Sequence, residues 1–209
     1  MSEREEINPE PPEQKGRYHH GDLREALIEA TRRLVVDRGA ENFSLADACR
    51  CAGVSTAAPY RHFRDKLEIL EEITARGFET LNQQSMEAVA EHGSGTLDGI
   101  TAMGRAYVNF ALQEQALFRL MFGQNPSLKA SESVETRGHA CFDNVIGEVA
   151  RYCENNGIKG DTREIAVQLW TFVHGAASLL MDQDYEKVVP DIDIEQMIFK
   201  ATRQLLAIR

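Results

Sequence analysis

An all-α fold follows from three features of the 209-residue sequence. Apolar residues recur at three- and four-residue intervals over most of its length. No stretch shows the period-2 alternation of a strand. Three helix starts carry the same chemistry, a side-chain oxygen with an acidic residue three places on: Asp22 with Glu25, Ser44 with Asp47, and Asp65 with Glu68.

Taken in order, residues 1–14 are rich in Glu and Pro and almost without apolar residues, which predicts disorder. Lys15 and Arg17 follow as a short basic arm, so 1–17 is read as an acidic tail and arm. A first helix is expected over 22–38, where Leu23, Ala26, Leu27, Ala30 and Leu34 share a face and Gly39 stops it. A second, over about 44–52, groups Leu45, Ala48, Cys49 and Ala52 before the left-handed turn that Gly53 permits. A very short third helix is expected from a Ser55 cap to about His62, with Pro59 near its first turn. The fourth starts after Asp65 and runs through Leu67, Leu70, Ile73, Phe78 and Leu81 towards His92, with Gly77 as a potential bend. "HGSGT" at 92–96 is the clearest break. Later helices are expected near 97–113, 115–122, 130–156, 162–183 and 192–208, separated by "GQNPS", "NNGIKGD" and "VVPD". The domain handover falls in or just before the fourth helix, giving an N-terminal domain at 18–73 and a C-terminal one at 74–209.

Charge is distributed unevenly beneath a net −10. Residues 1–14 carry one Arg against five Glu, and 67–209 carry twelve basic against twenty-one acidic residues; 15–66 alone is positive, with ten against seven. A polyanion would therefore be repelled everywhere except there. No apolar run approaches the ~18 residues of a membrane span, and the N-terminus has no signal-peptide core. A cytoplasmic protein without membrane contact is expected. The four cysteines agree: Cys49 and Cys51 point to opposite sides of a helix, Cys141 and Cys153 would lie ~18 Å apart along one, and no CxxC metal spacing occurs. Reduced, mostly buried thiols are the reading, with neither metal nor cofactor implied.

The positive island centres on "GVSTAAPYRHFRDK" (53–66), where a helix, a tight Gly turn and a short helix make a helix-turn-helix layout. Thr56, Ala57 and Ala58 are small enough to let a helix approach base edges, and their methyl groups suit a thymine methyl. Ser55 adds a hydroxyl at a helix N-terminus, suited to phosphate. Tyr60 and His62 offer donors to the sugar-phosphate backbone, Lys66 a cation, and Phe63 packs beneath. Double-stranded DNA is the partner this chemistry selects.

The segment "SLADACRCAGVSTAAPYRHFRDKLEIL" closely resembles the DNA-binding domain of the TetR/AcrR family of bacterial transcriptional regulators. The resemblance covers about 18–73. Its most specific parts are Gly53-Val54-Ser55, then Tyr60-x-His62-Phe63, then Lys66 with Ile69. It implies that Tyr60, His62 and Lys66 clamp the DNA backbone and that Ser55, Thr56, Ala57 and Ala58 face the bases. By the same likeness Ser44 touches a phosphate, and Arg61 reaches bases or phosphate. Pro59 departs from the family pattern, which often has an aliphatic residue there. With no long polar side chain at 56–58, specificity leans on Arg61, apolar contacts or DNA shape.

Proteins resembling this family are homodimers whose C-terminal helices bury a ligand cavity. Met103, Tyr107 and Phe110 repeat at helical spacing near "LFRLMFG" (117–123), which groups Phe118, Met121 and Phe122. These serve either as plain core or as cavity wall. Trp170 and His174 share a helix face, and the pattern Trp-x-x-x-His-Gly resembles the C-terminal domain of a subset of the family; His174 is either a core or interface histidine or a ligand contact. The small residues around Ala176 and Ala177, with Leu180, and the stripe Ile194, Met197, Ile198, Ala201, Leu205 and Ile208 suggest a four-helix interface between two subunits, though packing within the chain would cover that stripe too.

The expectation is a ligand-responsive regulator, a repressor by resemblance, that binds a palindromic operator as a homodimer and is released by a small hydrophobic effector. A protein-interaction module using the fold without DNA is the alternative. No clustered acid–base or nucleophilic set argues for an enzyme; adjacent His19 and His20 read as part of the arm.

Overall fold

The computed structural model describes residues 20–57 and 59–207, and every regular element among them is helical. The expectations for the tail, the arm, Ala58 and Ile208 lie outside the described residues.

Helix α1 spans His20–Arg38. It begins earlier than the periodicity indicates, so Asp22 lies inside its first turn instead of at its N-cap. α2 spans Leu45–Ala52 and starts as expected: the Ser44 hydroxyl accepts the Asp47 N–H at 3.2 Å while the Asp47 carboxylate accepts the Ser44 N–H at 2.8 Å. Gly53 ends it at φ 69°.

The expected third helix is not formed among the described residues. The stretch holds a 3₁₀ turn at Pro59–Arg61, in which the His62 and Phe63 N–H groups both reach the Pro59 carbonyl at 2.8 Å. Pro59 is the physical reason: it has no N–H to donate back to residue 55, and its ring disfavours the α-conformation in the residue before it. A helix can begin at Pro59 but cannot run through it.

Helix α3 spans Lys66–His92, capped by the Asp65 carboxylate on the Glu68 N–H at 3.0 Å. Its 27 residues reach about 40 Å without a break at Gly77. α4 (Leu97–Gln113), α5 (Gln115–Phe122), α7 (Glu132–Asn156), α8 (Thr162–Met181) and α10 (Ile194–Leu206) match the expected helices within a few residues. Two short helices were not expected. α6 (Pro126–Lys129) forms inside "GQNPS", where Asn125 caps and Pro126 takes the first helical position; α9 (Asp184–Val188) precedes "VVPD".

α3 is the axis of the molecule, packing against α1, α4, α5 and α7, while α4 packs against α8 and α10. One apolar cluster runs from Leu27, Phe43 and Phe63 through Ile69 and Ile73 to Phe110, Phe118 and Ile198. A smaller one at the far end joins Ile100, Val149, Leu169 and Leu206. Gly77 lets α5 approach: a Cβ there would lie 2.7 Å from the Met121 sulfur. All four cysteines are free; Cys49 and Cys153 are buried and Cys51 is exposed.

The α3–α4 turn is fixed by Glu148 of α7, 1% exposed. Its carboxylate accepts the Gly95 N–H at 2.8 Å and the Ser94 hydroxyl at 2.9 Å, and pairs with Arg151. Burial alone would raise its pKa, but Arg151 and these donors outweigh burial and hold it below its ordinary 4.5. Glu148→Gln should lower stability in urea unfolding by about 1–3 kcal/mol near neutral pH. The depressed carboxyl contributes stability above its unfolded pKa and loses it as pH falls through the folded value. The variant should therefore lack that part of the acid-side loss.

Candidate nucleic-acid interface and buried cavity

Pro59 is buried and Phe63 is 2% exposed, with the Arg24 guanidinium 5.1 Å above the Phe63 ring. These two anchors turn the intervening side chains outward: Tyr60 is 66% exposed and Arg61 is exposed. Ser55, Thr56 and Ala57 are exposed on the preceding turn, and His62 is half-buried. The described residues from Ser55 to Arg61, Pro59 apart, thus expose their side chains, presented by turns instead of a helix. Phe63 packs beneath them, as the sequence indicated.

Two members of the sequence-derived group have tasks inside the protein. The Lys66 ammonium donates to the Phe43 carbonyl at 2.8 Å and lies 4.3 Å over the Phe43 ring. It ties the loop before α2 to the start of α3. The Ser44 hydroxyl is engaged with Asp47, whose pKa it lowers to about 2, with Arg50 assisting. Arg50 and Arg64, both exposed, are further cations of the one positive stretch.

Helices α3, α4, α7 and α8 form a partly open cavity of about 380 Å³, with Phe122 of α5 and Thr202 of α10 in its wall. Of the eight residues expected there, Met103, Tyr107, Phe122 and Trp170 line it. His174 stands behind, its Nδ1 2.8 Å from the Tyr107 hydroxyl, and Phe118 stacks on it at 5.4 Å. Phe110 is core at 1% exposure, and Met121 packs against Gly77. The Trp170 indole N–H donates to the Tyr107 oxygen at 3.2 Å. The Tyr107 oxygen thus joins Trp170 to His174, and which of the phenol and the imidazole donates in the second bond follows the histidine tautomer.

Burial pushes the Tyr107 phenol far above its ordinary value and the Cys141 thiol to about 11, and it lowers His174. All three shifts favour the neutral form, the signature of a weakly hydrated site.

The missed half of the wall comes from α3 and α7. Phe78, Leu81, Asn82 and Ser85 recur at helical spacing, as do Gly138, Cys141, Phe142 and Val145. That periodicity was visible, but it does not distinguish a packed face from one that lines a hollow.

Of the described residues expected at a subunit interface, three are interior to the single chain and the others are half-buried. Ala176, Ala177 and Ile198 are buried within the chain at 3%, 0% and 1% exposure, with Ile198 against Gly104 of α4. Leu180 and Ile194 are half-buried on the main cluster and Leu205 on the smaller one. Met197 lies against Tyr185, and Ala201 is half-buried. α4 and α8 pack on α10 and bury Ile198, while Ile194, Met197, Ala201 and Leu205 keep part of their surface exposed. The face α8 leaves open carries Val167 and Leu179, each 42% exposed, with Thr171 between them. No helix among the described residues is long and apolar enough to cross a membrane.

Residues 27–73 match the family of bacterial regulatory proteins typified by TetR, and 100–202 match a tetracyclin repressor-like C-terminal domain. The structure is similar to that of a protein of unknown function from Rhodococcus sp. RHA1, at 31% identity and TM-score 0.79, over 93% of this chain and 97% of that one. It shares its fold with the TetR family transcriptional regulator PfmR from Thermus thermophilus (18% identity, TM-score 0.62, over 86% and 96% of the two chains). The fatty acid degradation regulator FadR from Bacillus halodurans is similar at 13% identity and TM-score 0.69, over 93% and 97%. The chain belongs to the TetR family of DNA-binding transcription regulators.

Tyr107→Phe removes the oxygen shared by Trp170 and His174, and should cost about 1–2 kcal/mol in thermal unfolding at neutral pH. A histidine whose folded pKa is depressed binds fewer protons folded than unfolded. Its contribution is present above the unfolded value of 6.5 and declines as pH drops below it. His174→Gln should flatten the stability curve there, as seen by melting temperature against pH.

Proposed function

We propose that the chain is a ligand-responsive repressor that binds a palindromic operator as a homodimer and is released when an effector enters the cavity. The observation that carries this reading is the double membership of α3. Lys66 at its start is tied to the helix-turn-helix, and Asn82, sixteen residues on and about 24 Å away, is in the cavity wall. An effector that repositions α3 at the wall moves the DNA-binding end with it. Only a molecule that binds one arrangement better than the other shifts the population.

On the DNA, Tyr60, His62 and Lys66 clamp the sugar-phosphate backbone while Ser55, Thr56, Ala57 and Ala58 face the bases; Ser44 meets a phosphate and Arg61 reaches either. Small side chains at 55–57 and exposed Tyr60 and Arg61 support this division. Two half-sites require two copies, and the open face of α8, with Val167, Thr171 and Leu179, supports a two-fold contact there alongside the outward side of α10. The domain division at 73/74 falls inside α3, consistent with a shared helix as the connection. The protein acts in the cytoplasm, on the chromosome.

Anisotropy with a labelled fragment of the chain's own upstream region tests the reading. Affinity should fall steeply with salt. Tyr60→Ala and Arg61→Ala should each weaken binding at least tenfold without changing the melting temperature, whereas Lys66→Ala should lower both. Val167→Asp with Leu179→Asp should give a monomer in sedimentation that no longer binds the fragment. Salt-insensitive or absent duplex binding by folded protein would favour the interaction-module alternative.

A further inference from the structure

The cavity wall is apolar except at a few places, and their chemistry restricts what can enter. Asn82 and Ser85 lie one turn apart on α3, and Asn144 faces them from α7. The Asn144 amide donates to the Asn82 carbonyl at 2.8 Å. That single bond leaves the pair with one unspent N–H₂ and one unspent carbonyl. If both amides were rotated the roles would exchange, and the pair would still present one donor group and one acceptor. Ser85 is 7% exposed, and its hydroxyl, which both donates and accepts, makes no hydrogen bond to another described residue.

No Asp, Glu, Lys or Arg lines the cavity, and its one imidazole, that of His139, belongs to an exposed residue. Tyr107 and Trp170 are spent on each other and on His174. A carboxylate or phosphate would enter with no cation to pair with, opposite a carbonyl, where burial already keeps Cys141 and Tyr107 neutral. A hydroxyl or a carboxamide offers both a donor and an acceptor, matching the unspent groups.

We propose that the cavity takes a neutral, largely apolar molecule whose one hydroxyl or carboxamide group docks against Asn82, Ser85 and Asn144. This rests on the cavity being the effector site, and binding is therefore measured apart from DNA release.

Trp170, the only tryptophan in the chain, lines the cavity and reports occupancy through its emission. Purified protein at pH 7.5 is titrated with straight-chain primary alcohols, carboxamides and carboxylates of six to ten carbons. Alcohols and carboxamides should shift the emission saturably, and carboxylates of equal length should bind at least tenfold more weakly. Asn82→Leu with Asn144→Leu should weaken alcohol binding about tenfold. Should that variant not fold, Ser85→Ala should weaken it about threefold, in line with one net hydrogen bond.

Carboxylates binding as tightly as alcohols would overturn the proposal. So would saturable binding by none of the three series, or alcohol affinity unchanged in the folded variants. Alcohol binding that leaves the promoter fragment bound would uphold the cavity's chemistry and overturn the effector reading instead.

Discussion

One helix has to close the N-terminal packing and line the cavity at once, and the rest of the architecture follows from that constraint. Ile69, Leu70 and Ile73 of α3 close the packing that begins at Leu27 and Phe43. Phe78 and Leu81, one to two turns further, belong to the same continuous cluster and to the cavity wall. Bending α3 would unseal one or the other. The side chains at the interior seam have few alternatives because packed interiors respond to small displacements by switching arrangement instead of stretching. At Gly77 the Met121 side chain of α5 occupies the space a Cβ would need.

Ion pairs decorate that seam without holding it. Arg76 bridges Glu25 of α1 and Glu72 of its own helix, Arg24 reaches Glu72, and Arg32 makes two 3.2 Å contacts with Glu114 at the start of α5. Most of these side chains are about a third to a half exposed, and pairs of that kind typically contribute less than about 1 kcal/mol each. Their use is orientational: they fix the angle at which α1 lies on α3 and α5. Burial of Leu27, Ile69, Ile73 and Phe110, each at most 2% exposed, supplies the larger share of the stability.

The two ends of α3 differ in how they treat polar groups. At the DNA end, buried Pro59 and Phe63 hold Tyr60 and Arg61 out in solvent, where donors are available to a partner. At the cavity, the polar atoms are paired among themselves. Tyr107, Trp170 and His174 bond to one another, while the Asn82–Asn144 pair, Ser85 and Thr202 keep capacity for a guest. The first arrangement suits a charged, hydrated partner and the second a neutral one.

Much of the fold was legible in the sequence because helix starts and stops are local. Ser44 with Asp47, Asp65 with Glu68, and Gly53 act within a few residues of themselves, so their chemistry survives whatever packs around them. The motif at 53–66 was readable for the same reason, save that the α-helix expected across Pro59 became a 3₁₀ turn. Tertiary structure decided the remainder. Periodicity showed that Phe110, Phe122 and Ile198 each lie on an apolar face, but not which neighbour that face meets. Phe110 became core, Phe122 and Phe142 became wall, and Ile198 of the α10 stripe turned inward onto Gly104 of α4. Which faces meet depends on helix angles and on distant residues such as Gly77, Gly104 and Glu148, and no local window of sequence contains them.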